Sequence, residues 1–250
     1  MGKTQIIFAT SNEDKLREIR MILKDFDAGI ISLRDAGITT EIVEDGKTFR
    51  DNAVIKAAAI MKETGKLTLA DDSGLEVDYL NREPGVYSAR YCGVNTSYRI
   101  KNRNIIERLI DVPDEERTAR FVCVIALAVP ESVQIPDMRG IQGEASGECN
   151  NTSAGIKEGI SPEIEVEDMM DTRTGARILT VRAAMEGRIG YEEKGENGFG
   201  YDPIFYLPEF GCYSAELDPE KKNEISHRGK ALRGMKELME RYGLISAGGK

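Results

Sequence analysis

Leu67-Thr68-Leu69-Ala70-Asp71-Asp72-Ser73-Gly74 is the stretch on which the fold turns. Leu67 to Ala70 read as a short strand that delivers the acidic pair to its end, the place where open α/β sheets collect their ligands. Two adjacent carboxylates cannot both be buried cheaply, and they suit a divalent cation; Mg²⁺ takes few protein carboxylates and shares itself with phosphate and water. Taken alone, the string reads equally well as a plain turn.

Working outward, the preceding segment is a helix. Thr48 and Asp51 form a capping-box start, Val54, Ala57, Ala58 and Met61 make an apolar stripe, and Gly65 ends it. Glu44, in the loop before it, offers a further carboxylate. Earlier still, residues 5–9 read as a buried strand, Thr10-Ser11-Asn12 as capping residues, and Leu16, Ile19, Ile22 and Leu23 as a helical stripe. Beyond the acidic pair, Leu75 to Tyr79 alternates like a half-exposed strand, Ser97 to Ile110 reads as a helix, and Phe121 to Val129 as a central strand. Strands alternating with helices imply an α/β fold. From Pro130 to about Arg177 the pattern dissolves into a long insertion, and the acidic residues Glu163, Glu165, Glu167, Asp168 and Asp171 read as a solvated face rather than a metal site. Order returns at Ile178 to Val181, and a last helix carries Leu232, Met235, Leu238, Met239 and Tyr242 ahead of Gly243.

Composition narrows the function. The 250 residues carry a formal charge of −9, which disfavours a nucleic-acid partner. A small triphosphate is compatible, because a metal ion and a few local cations can hold it. The four cysteines are widely separated, so neither a zinc site nor a disulfide framework is indicated, and free thiols point to a cytoplasmic protein. No apolar stretch is long enough to cross a membrane.

Three further segments could carry chemistry. The helix start from Thr10 to Lys15 could present backbone N–H groups, Asn12 and Lys15 to a phosphate, or be an ordinary cap; it is not a Walker A loop. Gly198-Phe199-Gly200-Tyr201-Asp202 combines close backbone approach with two aromatics that could stack on a base, or is a Gly-rich turn with core aromatics. Ser226-His227-Arg228-Gly229, with Lys222 upstream, gathers donors suited to a carbonyl-bearing base, although a lone His is more often structural.

Together the four segments resemble the inosine/xanthosine triphosphate pyrophosphatase family. The resemblance runs through Phe8 to Asn12 with Lys15, Thr48-Phe49 with Asn52-Ala53 and Lys56-Ala57, Leu69 to Leu75, Pro84 to Tyr91, Gly198 to Phe205, and Ser226 to Leu232. It implies an elongated α/β fold with a mixed curved sheet, flanking helices and two lobes around a central substrate cleft. The chain would be a single catalytic domain over residues 1–250, forming a homodimer. The reaction implied is hydrolysis of a deaminated purine triphosphate (ITP, dITP or XTP) to the monophosphate and pyrophosphate.

Carried onto this chain, the resemblance has Thr10, Ser11, Asn12, Glu13, Asp14 and Lys15 hold the phosphates, and Glu44 and Asp72 bind Mg²⁺. Asp72 also serves as base and Lys15 as the charge-stabilising catalytic residue. Ser73 touches substrate, and Phe199, Gly200, Tyr201, Asp202, Lys222, His227 and Arg228 frame the base. The departure from the family pattern is the insertion at about 131–177. Gly143 with Gly147, or Gly187 alone, could supply the family's glycine strand, and spacing favours Gly187. Rival readings are a pyrophosphatase of other base preference, as in the septum-formation inhibitor family, and a non-catalytic nucleotide sensor.

Overall fold

The computed structural model describes residues 4–24, 28–135 and 164–246. Among these residues are nine strands, β1 (Thr4–Phe8), β2 (Ala28–Ser32), β3 (Thr68–Val77), β4 (Glu83–Pro84), β5 (Thr118–Val129), β6 (Glu165–Met170), β7 (Arg177–Ile189), β8 (Phe205–Leu207) and β9 (Cys212–Tyr213), and five helices, α1 (Glu13–Ile22), α2 (Phe49–Thr64), α3 (Tyr98–Arg108), α4 (Pro219–Ile225) and α5 (His227–Arg241). The strands form one mixed sheet in the order β2-β1-β3-β5-β7-β8-β9, with β4 paired to β3 and β6 to β7. β1 runs parallel to both β2 and β3, whereas β6, β7, β8 and β9 pair antiparallel in succession. The α/β expectation holds, with an open sheet and flanking helices.

The chain forms two compact units, one of Met1–Asp72, Val124–Ala183 and Ala231–Lys250, the other of Ser73–Cys123 and Ala184–Lys230. In the first, Ile6, Ile7 and Phe8 are all buried, as expected for a strand flanked on both edges. Asn12 caps α1 by accepting from the Lys15 N–H, and Leu16 and Ile19 turn inward. Thr48 and Asp51 complete the capping box of α2, and Gly65 closes that helix in the left-handed conformation. Burial on α2 exceeds the expected stripe: Phe49, Ala53 and Ile60 are enclosed along with Val54, Ala57 and Ala58. The second unit has its own core, in which Leu75, Ile105, Phe121, Ile189, Ile204 and Phe205 meet. Arg117 is fully buried there, donating to the carbonyls of Ile189, Leu109 and Gly190.

Two expectations are corrected. Asp71-Asp72-Ser73-Gly74 is not a turn at a strand end: β3 runs without a break from Thr68 to Val77, so the acidic pair lies inside an extended strand. The first residues of β3 pair with β1, which ends at Phe8, and its last pair with β4, so the pairing keeps the turn-prone string extended. The expected irregular segment also ends earlier than Arg177. β6 pairs residue for residue with β7 from Glu165↔Arg182 to Met170↔Arg177. Ile164 and Val166 are buried and Glu165 and Glu167 exposed, a period-2 pattern masked in the sequence by acidic composition. Asp168 is no part of a solvated face, since Arg177 grips both its oxygens at 2.9 and 2.6 Å and the Tyr242 hydroxyl donates to it. Asp171 is buried as well, accepting from Thr174. Residues 136–163 of the insertion, with Glu163 and both Gly143 and Gly147, lie outside the described residues.

Candidate active site

In the first unit, β3 presents Asp71 and Asp72 to two different helices. Successive side chains of a strand leave opposite faces, so neighbours in sequence acquire separate partners. Asp71 is enclosed and pairs with Lys15 Nζ of α1 at 2.9 Å. Asp72 meets α2: Asn52 Nδ2 donates to its Oδ2 at 3.1 Å, and Lys56 Nζ stands 3.5 Å from its Oδ1. The same Lys56 ammonium is 2.7 Å from Glu44 Oε2. Asn52 is itself fixed by the Gly46 N–H, which donates to its Oδ1.

The electrostatics of this cluster follow from burial. Desolvation raises the Asp72 carboxyl above its ordinary range, and the opposing pull of Lys56, Lys15 and the Asn52 hydrogen bond does not cancel it. Burial disfavours the Lys56 ammonium too, but Asp72, Asp71 and Glu44 together outweigh that and raise its pKa. Glu44 and Asp72 thus converge on one cation. The donor set fits a divalent metal that takes two carboxylates from protein and completes its shell with phosphate and water. Among the described residues no group of three or more His, Cys, Asp or Glu gathers, so a site built of protein ligands alone is not present.

The helix start from Thr10 to Lys15 is capped by its own residues. The Asn12 side chain accepts from the Lys15 N–H, and Thr10 Oγ1 accepts from the Asn12 N–H. Glu13 and Asp14 lie in the first turn of α1, where they complement the helix dipole, and Asp14 pairs with Arg17. As carboxylates they cannot attract a phosphate, so any part they have in holding one is limited to their main chain.

In the second unit, Asp202 organises the segment expected to read a base. Its Oδ2 accepts from the Phe199 N–H at 2.8 Å and from Lys222 Nζ at 2.7 Å, and its Oδ1 accepts from Ser214 Oγ at 2.9 Å. Gly198 has φ +76°, and a Cβ there would lie 2.3 Å from Asp202 Oδ2, so only glycine fits. Lys222 and Arg228 both lie over the Phe199 ring, 5.3 and 5.7 Å from its centroid. Arg228 Nη2 also donates to Ser73 Oγ at 2.9 Å, and His227 stacks on Phe121 at 5.0 Å. Lys222, His227 and Arg228 are all buried, and the first and last can only donate.

Tyr201 follows the core-aromatic alternative rather than the stacking one. It is enclosed, its hydroxyl donates to the Ser88 carbonyl at 2.8 Å and its ring meets Tyr98 edge-on, so it anchors the loop rather than presenting a face. Burial pushes its phenol far up. Gly187, favoured by spacing, has no room for a Cβ, which would lie 2.6 Å from the Tyr206 carbonyl.

Lys56, Asn52 and Ser214 were not singled out as site residues. Asn52 and Lys56 are four apart, on one face of α2, and that spacing beside Glu44 was the available signal. It was hidden because α2 is apolar on both sides. Ser214 had no signal, being brought to Asp202 only by the fold.

Comparison with known proteins identifies the family. The chain matches the Ham1 family over residues 6–159 and 167–238. A protein named dITP/XTP pyrophosphatase from Desulforamulus reducens is 40% identical over 237 residues, covering 95% of this chain and 96% of its own. One of the same name from Bacillus licheniformis is 38% identical over 236 residues, 94% of this chain and 98% of its own. Among solved structures, a HAM1 protein from Coxiella burnetii superposes with a TM-score of 0.71 at 35% identity, covering 95% of this chain and 99% of that one. Matched along nearly its whole described length, the chain belongs to the Ham1 family.

Proposed function

We propose that this protein is a Mg²⁺-dependent nucleoside triphosphate pyrophosphohydrolase that converts ITP, dITP and XTP to the monophosphate and pyrophosphate. The observation that carries the reading is the setting of Asp72, a buried carboxylate oriented by Asn52, flanked by Lys56 and sharing that lysine with Glu44. Such a group suits general-base work. Asp72 accepts the proton of a water that attacks the α-phosphorus, and pyrophosphate leaves. Lys15, and Lys56 beside it in charge, offset the negative charge that builds on the phosphates. Glu44 and Asp72 would hold Mg²⁺, which when bound supplies charge neutralisation to the triphosphate and acidifies water.

Base preference rests on the second unit. Lys222 and Arg228 are donors without acceptors, and His227 can also donate. A 6-oxo group accepts what they offer, while the 6-amino group of adenine sets donors against donors, at a cost of about 1–3 kcal/mol for each group left unpaired. The relatives' names, dITP/XTP pyrophosphatase, support this choice of substrate. A homodimer is part of the proposal, supported by the exposed apolar side chains Tyr79, Tyr87, Val94, Ile100 and Ile110; sedimentation would test it. The reading also places the protein in the cytoplasm, where its substrates form; among the described residues no helix is long and apolar enough to cross a membrane.

The deciding experiment is pyrophosphate release from ITP, XTP, dITP, ATP, GTP and dTTP, with and without Mg²⁺. Mg²⁺-dependent turnover that favours ITP and XTP is expected. Equal rates on ATP and ITP would remove the base assignment, and turnover undiminished by chelator would remove the metal.

A further inference from the structure

Asn102 sits in the middle of α3 and is 1% exposed. Asparagine is a poor residue for a helix interior, so its presence there calls for a reason. Its Nδ2 donates to Glu193 Oε1 at 2.7 Å and to the Gly200 carbonyl at 3.3 Å. Both neighbours are acceptors, so only the amino end of the carboxamide can face them, which fixes its orientation. The other end, Oδ1, is buried and has no hydrogen-bond partner among the described residues. A buried acceptor left unpaired offsets part of what the two donated bonds add to stability.

We propose that Asn102 is a positioning residue for base selection, holding the Gly200 carbonyl and through it the turn that carries Phe199. The inference rests on the base-reading role given above to Phe199, Lys222 and Arg228. Gly198 and Gly200 both adopt left-handed conformations, at φ +76° and +70°, and glycines confer no stiffness of their own. Stiffness comes from α3. Tyr98, one turn before Asn102 on the same face, meets Tyr201 edge-on at 5.3 Å and comes within 3.5 Å of where a Gly200 Cβ would stand. Asn102 holds the main chain between them. With both grips in place the Phe199 ring stays beneath Lys222 and Arg228.

The test uses Asn102→Leu and Asn102→Asp in the full chain. Leucine removes the orphaned acceptor and leaves no buried group stranded, because Glu193 is exposed and Gly200 partly so. Aspartate keeps the shape but turns an acceptor toward two acceptors. Both variants are expected to lose roughly tenfold in the ITP-to-ATP ratio of kcat/KM, mainly through KM for ITP, with kcat within about twofold and product inhibition by pyrophosphate unchanged. Asn102→Leu should melt no lower than wild type. A selectivity ratio that is retained in both variants overturns the inference, as does a ratio lost only alongside a matching fall in Tm. Wild-type enzyme that fails to prefer ITP overturns the base-reading role itself, an outcome visible before any variant is made.

Discussion

The two units each hold a buried aspartate beside a buried lysine, and the pairs are built differently. Asp202 has every nearby donor in place: Lys222 at 2.7 Å, the Phe199 N–H at 2.8 Å and Ser214 at 2.9 Å. Asp72 shares its lysine with Glu44, which takes the shorter contact, 2.7 against 3.5 Å. Saturation makes a carboxylate a fixture, whereas incomplete compensation of desolvation leaves it ready to take a proton. The difference separates an aspartate that holds a shape from the one to which the proposed reading gives the chemistry.

The largest effect that would break this contrast is at Asp72. Asp72→Asn should lower kcat by about 10²–10⁴-fold, as expected for loss of a general base. The sign of its stability effect is opposite to intuition. A carboxyl whose folded pKa is raised contributes most below the unfolded value and loses that contribution as pH rises through the folded one. Above the folded pKa the ionised Asp72 therefore costs stability, and there the asparagine variant should melt above wild type. A variant that is inactive and also less stable would remove the distinction between the two pairs.

Lys222→Met should do the reverse, with loss of fold first. It leaves the Asp202 charge enclosed without its cation, which costs about 3–5 kcal/mol, readable as a drop in the urea midpoint. If that midpoint does not move, Asp202 is not the fixture described. Gly198→Ala should cost about 1–3 kcal/mol through its left-handed backbone and the close approach to Asp202, and should weaken the ITP preference while pyrophosphate inhibition stays constant. The mildest test is pH. The acid limb of kcat/KM, which reports the free enzyme, should rise through a midpoint above the ordinary aspartate value of 3.8, because burial raises Asp72; a midpoint at or below 3.8 contradicts the direction.

Much of this arrangement was legible in the chain, and unevenly so. Local signals carried well: Asn12 and the Thr48–Asp51 box start the helices expected of them, and Gly198 sits where only glycine fits. Signals that depend on partners far along the chain did not. Asp-Asp-Ser-Gly has turn composition, and pairing along β3 overrides it. The alternation of β6 was hidden by glutamates that lie on its exposed side, while the one acid that turns inward, Asp168, is matched by Arg177 nine residues on. Lys56 lies on a helix whose apolar residues face two ways, so a buried cation there has no periodic mark.

The path of β3 through the acidic pair sets a rule for how this segment can change. Asp71 and Asp72 are told apart only by which side of the strand each leaves. Loss of one residue within the strand before them would bring Asp72 to the lysine of α1 and leave Ser73 facing Asn52 and Lys56, whereas gain of one would bring Asp71 to Asn52 and Lys56 and leave the lysine of α1 without a carboxylate. A change of two residues would return each aspartate to its own face but move the pair about 6–7 Å along the strand, out of reach of its partners. The proposed distinction between helper and base is written as odd and even positions, and it holds only while the number of strand residues before the pair is kept.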